Sequence, residues 1–200
     1  MKTALKMFLA LTLISVLSGA LLAAMDSYTA PRIQDNFYRD LIEAITLVLP
    51  KYDRYEEVNT NQYPIYVGKQ EDLDDPVGLA FKVTGNGFQG KISIMIGVTP
   101  DFSHLTAIKI LEQIETPGLG TKIVIDPSNK KDPYWFANQF KDLKLEPYIK
   151  LVKNVKPKND NEIQAITGAT ISSKAVVRIL NERIKEVEEA YRKQLSVKTD

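Results

Sequence analysis

One uncharged apolar run near the N-terminus constrains this chain more than any other feature. From Met7 to Met25 the sequence carries no charged residue. About 20 helical residues, at 1.5 Å each, cross the hydrocarbon core of a bilayer. The run therefore predicts a transmembrane anchor over residues 1–26, in contact with the lipid bilayer. Residues 27–200 are left to form the rest of the protein.

The charges on either side of this run predict its orientation. Lys2 and Lys6 precede it and Asp26 follows it. Because positive residues stay on the cytoplasmic side of a membrane, we expect a single-pass protein of the cell inner membrane. Residues 27–200 would then lie on the periplasmic, or extracytoplasmic, side. A cleaved signal peptide is the alternative, since residues 18–20 are small, but the apolar run continues past them, which favours an uncleaved anchor.

Composition excludes several classes of function. The 200-residue chain has a net charge of +1 and no cysteine. The near balance of charge provides no strongly basic surface, so we expect no nucleic-acid partner. The absence of cysteine excludes thiolate catalysis, iron–sulfur ligation and disulfides. The single histidine, His104, has no partner histidine with which to build a metal site or a catalytic triad.

Apolar periodicity predicts an α+β fold for residues 27–200, with an antiparallel sheet flanked by helices. A helix is predicted from Ile33 to Leu49, between a short linker at 28–31 and the helix-stopping Pro50. A long amphipathic helix is predicted from Ser172 onward. Between them, we expect irregular chain at 52–62, strands at 65–67, 77–83, 91–98 and 105–111, a short helix at 133–140 and a strand-like segment at 143–155.

Two local patterns between these helices need a choice of interpretation. Gly85–Gly90 formally matches the dinucleotide-binding fingerprint, but that fingerprint must open a helix, and strand residues follow here. We predict the turn of a β-hairpin instead. The aromatic residues Trp135, Phe136 and Phe140 have a spacing that favours packing in the core, with stacking on a bound ring system as the alternative.

The stretch from Gln164 to Ser173 concentrates four hydroxyls around a Gly-Ala pair. Small residues let a ligand approach the backbone, and the N-terminus of the following helix would attract a phosphate. The other interpretation is that these hydroxyls only cap the helix, by accepting hydrogen bonds from its free N–H groups. The two interpretations are compatible. The hydroxyls belong to Thr167, Thr170, Ser172 and Ser173.

A second segment, Glu-Thr-Pro-Gly-Leu-Gly at 115–120, predicts a tight turn. Pro117-Gly118 is typical of the central pair of a β-turn, and Gly120 permits a further unusual backbone angle. By itself this hexapeptide indicates no function.

Taken together, the two segments resemble the FMN-binding domain family. Thr-Gly-Ala-Thr at 167–170 resembles the family's attachment motif. The hexapeptide at 115–120 resembles the signature that precedes this motif in the G subunit of the Rnf ion-pumping complex and in the C subunit of the sodium-pumping NADH:quinone oxidoreductase. The resemblance covers nearly the whole chain. The compact length of the chain favours the Rnf subunit over the subunit of the NADH:quinone oxidoreductase. Gln164 is a departure, because the family commonly has an acidic residue at that position.

The resemblance implies a covalently bound FMN. A flavin transferase would join the FMN phosphate to Thr170 through a phosphoester. The chain would be an electron relay that works with the other subunits of a membrane complex, which couples ferredoxin–NAD electron transfer to ion pumping. No catalytic residue or metal is implied. The implied cofactor-binding residues are Thr170, Thr167, Gly168, Ala169, Glu115, Thr116, Gly118, Leu119 and Gly120.

Other classes of function stay open at this point. One is the FMN-binding subunit of a sodium-pumping NADH:quinone oxidoreductase, or a flavin-binding regulator of another respiratory system. A second is an anchored binding module without redox chemistry, in which both motifs are only turns and caps. A third is a hydrolase with Ser173 or Thr170 as its nucleophile, which is disfavoured because one distant histidine makes a poor triad.

Overall fold

The computed structural model describes residues 2–60, 62–71 and 73–199, without the side chains of residues 73, 74 and 197–199. The chain divides into two compact units, Met1–Ile42 and Glu43–Asp200.

The first unit consists of most of helix α1, which runs from Lys2 to Val48. This helix contains the predicted anchor and is long and apolar enough to cross a membrane. The predicted linker at 28–31 is wrong, because the helix continues through it with Pro31 inside. A proline costs a helix about 3 kcal/mol at one position, and the helical hydrogen bonds before and after it keep this helix continuous.

The second unit is built around a five-stranded antiparallel sheet in which each strand pairs with its neighbours in chain order. The predicted strands are confirmed, but the irregular chain expected at 52–62 is wrong, because it contains strand β1 (Arg54–Asn59). Its side chains are mostly exposed because it is an edge strand, so it lacks the apolar alternation by which strands are recognised. The strands are β1 (Arg54–Asn59), β2 (Pro64–Gln70), β3 (Leu73–Asn86), β4 (Lys91–Val98) and β5 (Leu105–Gln113).

Helical segments cover both faces of this sheet, as predicted for the α+β class. Helix α3 (Thr170–Thr199) packs on β3, where a Cβ added to Gly85 would lie 2.5 Å from Cγ1 of Ile179. On the sheet's other face lies the end of α1, where the carbonyl of Val48 accepts a hydrogen bond from the hydroxyl of Thr106. Strand β4 is consequently buried along nearly its whole length.

The chain between β5 and α3 is mostly irregular. It contains a 3-10 helix at Gly120–Ile123 and the short helix α2 at Trp135–Asn138, within the predicted 133–140 segment. Only Lys150–Val152 (β6) of the strand-like 143–155 segment is a strand, and it pairs in parallel with Glu162–Gln164 (β7), which was not predicted. Three-residue strands are too short for a periodic signal.

Candidate functional site

The segment 115–120 forms the predicted turn. The carbonyl of Thr116 accepts a hydrogen bond from the amide of Leu119 at 3.2 Å, and Gly118 between them has φ +72°. A type II turn requires a positive φ in the third position, which glycine provides, and it commonly has proline in the second. The turn leaves the Leu119 side chain 48% exposed.

The segment 166–169 repeats this backbone arrangement. The amide of Ala169 donates to the carbonyl of Ile166 at 3.0 Å, and Gly168, again in the third position, has φ +83°. A Cβ added to Gly168 would lie 3.5 Å from Cδ2 of Leu119. The two sequence motifs therefore form two glycine turns that lie side by side, as expected for one site built from two loops.

The Glu115 carboxylate links its own segment to two others, the β3–β4 hairpin and the start of α3. It is 4% exposed. Its Oε1 accepts hydrogen bonds from the amides of Phe88 at 2.7 Å and Gln89 at 3.2 Å, in the β3–β4 hairpin. Its Oε2 accepts a 2.5 Å hydrogen bond from the hydroxyl of Ser172, in the first turn of α3. Gly120 completes this cluster, since an added Cβ would lie 2.8 Å from Ser172 Oγ.

The four hydroxyls of the second motif divide into two pairs. Ser172 and Ser173 are buried and bonded within the chain: Ser173 Oγ accepts from the amide of Ile166 at 3.1 Å and donates to the carbonyl of Ala169 at 3.0 Å. Thr167 is exposed and Thr170, the first residue of α3, is half-buried. In the described part of the chain, neither threonine hydroxyl makes a hydrogen bond.

The interpretation of the threonines as helix caps is therefore wrong. The carbonyl of Ala169 accepts the first bond of α3, from the amide of Ser173 at 3.0 Å, so that an alanine holds the N-cap position. The N–H groups of the first helical turn have no partner within a helix. The Thr170 hydroxyl thus lies at a helix N-terminus, where an anion is favoured.

The chain immediately before the motif is fixed by Gln139. Its side-chain amide accepts a hydrogen bond from the amide of Gln164 at 2.7 Å and donates to the carbonyl of Gln164 at 3.2 Å. This pair of bonds holds the end of β7 in place through the backbone of Gln164 alone. The side chain of Gln164, at the position where the family commonly has an acid, is half-buried.

Other predicted roles have clear outcomes. Phe136 and Phe140 are core residues and Trp135 packs against the core, which confirms core packing for the aromatics. Ser173 is 0% exposed and cannot meet a substrate, so the hydrolase alternative loses one of its two nucleophiles. His104 contacts Ser103, with Nδ1 at 2.8 Å from its hydroxyl oxygen, and no cluster of potential metal ligands exists among the described residues.

Sequence reasoning missed the polar contacts that assemble the site. Ser172 was recognised only as one hydroxyl among four, and Gln139 was not recognised at all. The hydrogen bond between Ser172 and Glu115 spans 57 positions, and the bonds of Gln139 to Gln164 span 25. No periodicity or local motif predicts such pairs, because each depends on how distant segments pack.

The residues present fit a flavin mononucleotide. The unpartnered Thr170 hydroxyl at a helix N-terminus suits a phosphate, and exposed Gly168 gives close access to the backbone. The exposed side chains of Leu119 and Ile171 flank the two turns and offer apolar contact to a ring system.

Comparisons with known proteins identify the relatives of this chain. Residues 87–185, which include both motifs, match the model of the FMN-binding domain family. The G subunit of the Na(+)-translocating ferredoxin:NAD(+) oxidoreductase complex of Acetobacterium woodii is 30% identical, over 90% of this chain and 89% of its own length. The G subunit of the ion-translocating oxidoreductase complex of Methanosarcina acetivorans is 28% identical, over 90% and 92%.

A solved structure shares the fold. The crystal structure of Shewanella oneidensis NqrC superposes with a TM-score of 0.50 at 19% identity. The match covers 68% of this chain and 65% of NqrC, slightly less than two thirds of that protein.

Proposed function

This chain belongs to the family of G subunits of ion-translocating oxidoreductase complexes, and on this basis we propose that it is a membrane-anchored electron-transfer protein carrying covalent FMN. The protein is one subunit of a membrane complex, and this complex couples ferredoxin–NAD electron transfer to ion translocation. This function is favoured over the sodium-pumping NADH:quinone alternative because 19% identity to NqrC supports a shared fold alone.

Thr170 holds the cofactor through its hydroxyl. The Thr170 O–H bond is replaced by a bond to the FMN phosphorus, and a flavin transferase directs the exchange. The donor is a phosphoanhydride of FMN, whose other phosphate leaves with the hydroxyl proton, so the exchange is balanced. The observation that carries this proposal is the Thr170 hydroxyl, which has no partner in the described chain and lies at the N-terminus of α3.

The remaining residues of the two turns position the cofactor. Thr167, Gly168 and Ala169 would hold the phosphate end, and the turn from Thr116 through Gly118 and Leu119 would contact the flavin. FMN supplies the redox chemistry when it is bound, and the protein supplies position, polarity and access. Covalent attachment suits a carrier outside the cytoplasm, where a lost cofactor is not easily replaced.

Intact mass spectrometry tests the function directly. The full chain, produced together with a flavin transferase, should gain the mass of one FMN less one water. After denaturation, the band in a gel should fluoresce as a flavin. A chain that keeps its unmodified mass with an active transferase would contradict the proposal.

The proposed sidedness has its own test. The apolar run and Lys2 and Lys6 before it support residues 27–200 as an extracytoplasmic domain. Protease added to intact spheroplasts should then digest this domain. Protection in spheroplasts, with digestion in inverted vesicles, would place the domain in the cytoplasm.

A further inference from the structure

We infer that Glu115 is a positioning residue for flavin attachment: its buried carboxylate fixes the N-terminus of α3 so that Thr170 is presented to the transferase. The inference rests on the proposed function. It assigns Glu115 a role through Ser172 and the hairpin, whereas direct contact with the flavin was the expectation from sequence.

The contacts of the carboxylate carry the inference. Both oxygens of Glu115 are already used within the chain, by two hairpin amides and by the Ser172 hydroxyl. Because the residue is only 4% exposed, burial shields the carboxylate from a ligand. Although the Glu115 carboxylate cannot reach the cofactor, it can still fix the position of the N-terminus of α3, which carries the Thr170 hydroxyl.

The partners of Glu115 connect it to Thr170. Ser172 follows Thr170 by two residues in the first turn of α3, so the Ser172–Glu115 bond fixes that turn. The hairpin amides of Phe88 and Gln89 hold the carboxylate from the other side, 27 and 26 positions away in sequence. Three segments that are far apart in the chain are therefore held together by one side chain.

The packing around the carboxylate leaves little alternative space. A Cβ added to Gly120 would lie 2.7 Å from Cβ of Glu115, and one added to Gly87 would clash with Oε1 of the same residue. Removal of the carboxylate leaves a void and takes the acceptor away from the amides of Phe88 and Gln89. The first turn of α3 then loses the Ser172 hydrogen bond that links it to the hairpin through Glu115, while Arg178, farther along α3, still donates to the carbonyl of Asn86.

The chain offers a matched control in Glu162. It is buried to a similar degree, 6% exposed, and its carboxylate also receives three hydrogen bonds. These come from Lys150 Nζ at 3.0 Å, the amide of Lys158 at 3.0 Å and Asn159 Nδ2 at 2.9 Å. Lys150 lies in β6, and Lys158 and Asn159 lie in the loop that follows it. Loss of Glu162 therefore removes a comparable network of hydrogen bonds without removing a hydrogen bond to the start of α3.

The experiment compares initial rates of flavin incorporation into full-length Glu115→Ala, Glu115→Gln and Glu162→Ala under identical transferase conditions. Glu115→Ala should lower the rate about 10- to 100-fold, the range expected when an acceptor is misplaced by about 1 Å. Glu162→Ala should label at the wild-type rate. Glu115→Gln should label within about threefold of wild type, since its amide oxygen still accepts from the hairpin and its nitrogen donates to Ser172 Oγ.

Ser172→Ala provides a second variant in case Glu115→Ala does not fold. It removes only the link to α3, so incorporation should fall while hydrogen exchange at the amides of Phe88 and Gln89 stays slow. Wild-type rates in both Glu115→Ala and Ser172→Ala would overturn the inference, as would an equal loss in Glu162→Ala. If the wild-type chain is itself unlabelled, the proposed function has failed instead.

Discussion

The threonines and the serines of residues 167–173 have the same functional group but opposite surroundings. The hydroxyls of Ser172 and Ser173 are buried and bonded to Glu115 and to the backbone of Ile166 and Ala169. The hydroxyls of Thr167 and Thr170 reach the surface without a partner in the described chain. Within one short motif, the serines hold the structure together and the threonines remain free for chemistry.

This division allows the structural role of the motif, in stability, and its chemical role, in flavin attachment, to be tested separately. Replacing a serine should change stability and leave flavin attachment possible, although at a lower rate for Ser172→Ala, whereas replacing a threonine should change flavin attachment at constant stability. The division fails if a threonine variant is destabilised as Ser173→Ala is, or if a serine variant abolishes attachment as Thr170→Ala does.

Thr170→Ala should have the strongest effect of these substitutions, on covalent flavin. Attachment should be abolished, because a phosphoester needs the side-chain oxygen. The free energy of unfolding should stay within about 0.5 kcal/mol of wild type, since no hydrogen bond is lost. In-gel fluorescence and intact mass measure the flavin, and a urea titration measures the stability. Thr170→Ser is the control, which keeps the oxygen and should retain partial labelling. Fluorescence that survives in Thr170→Ala would move the attachment to another hydroxyl.

Ser173→Ala should destabilise the protein by about 1–3 kcal/mol. The substitution leaves the buried amide of Ile166 without an acceptor. The matched control is Ser196→Ala in the same helix, whose exposed hydroxyl donates to the carbonyl of Lys193 and whose loss should cost less than about 0.5 kcal/mol. Folded Ser173→Ala should still accept flavin. Equal stability of the two variants, measured in urea, would remove the structural role of Ser173.

Acid pH should weaken the contribution of Glu162, a buried carboxylate in β7, in a predictable window. Hydrogen bonds from the Lys158 amide, Lys150 and Asn159 lower the pKa of Glu162 to about 2 from 4.5. The unfolded chain therefore takes up this proton more readily than the folded chain. The stability that Glu162 contributes is complete above pH 4.5 and is lost as pH falls toward 2.

Thermal melts of the wild type and Glu162→Gln across this window isolate the contribution. The difference in melting temperature between the two proteins should shrink as the pH falls through it. Flavin content should not differ between them. A difference that is constant with pH would show that Glu162 does not carry this pH dependence.

Thr167→Ala should have the weakest effect on stability. Its exposed hydroxyl has no hydrogen bond within the described chain, so the free energy of unfolding should change by less than about 0.5 kcal/mol. Flavin labelling should fall partially, through a lost contact near the phosphate. If the free energy of unfolding falls by about 1 kcal/mol, the usual cost of a removed helix cap, Thr167 caps the helix, contrary to the contacts of its hydroxyl.

Local sequence predicted those parts of the fold that depend on neighbouring residues. The apolar run predicted the spanning part of α1, Pro117-Gly118 predicted the first turn, and the β-hairpin at Gly85–Gly90 was recognised from the strand residues around it. The linker at 28–31 was wrong because the same local reasoning treats one proline as a stop. Strands β1 and β7 were missed because an exposed edge and a three-residue strand carry no periodic signal.

Residue types within a few positions of one another were enough to determine the apolar N-terminal helix, the antiparallel sheet, the final helix and the two glycine turns. Which hydroxyls are buried and which reach the surface was settled by tertiary packing alone. That choice depends on the Glu115 carboxylate and on its hydrogen bond to Ser172 across 57 positions. A contact over such a distance exists only after the sheet and α3 have packed.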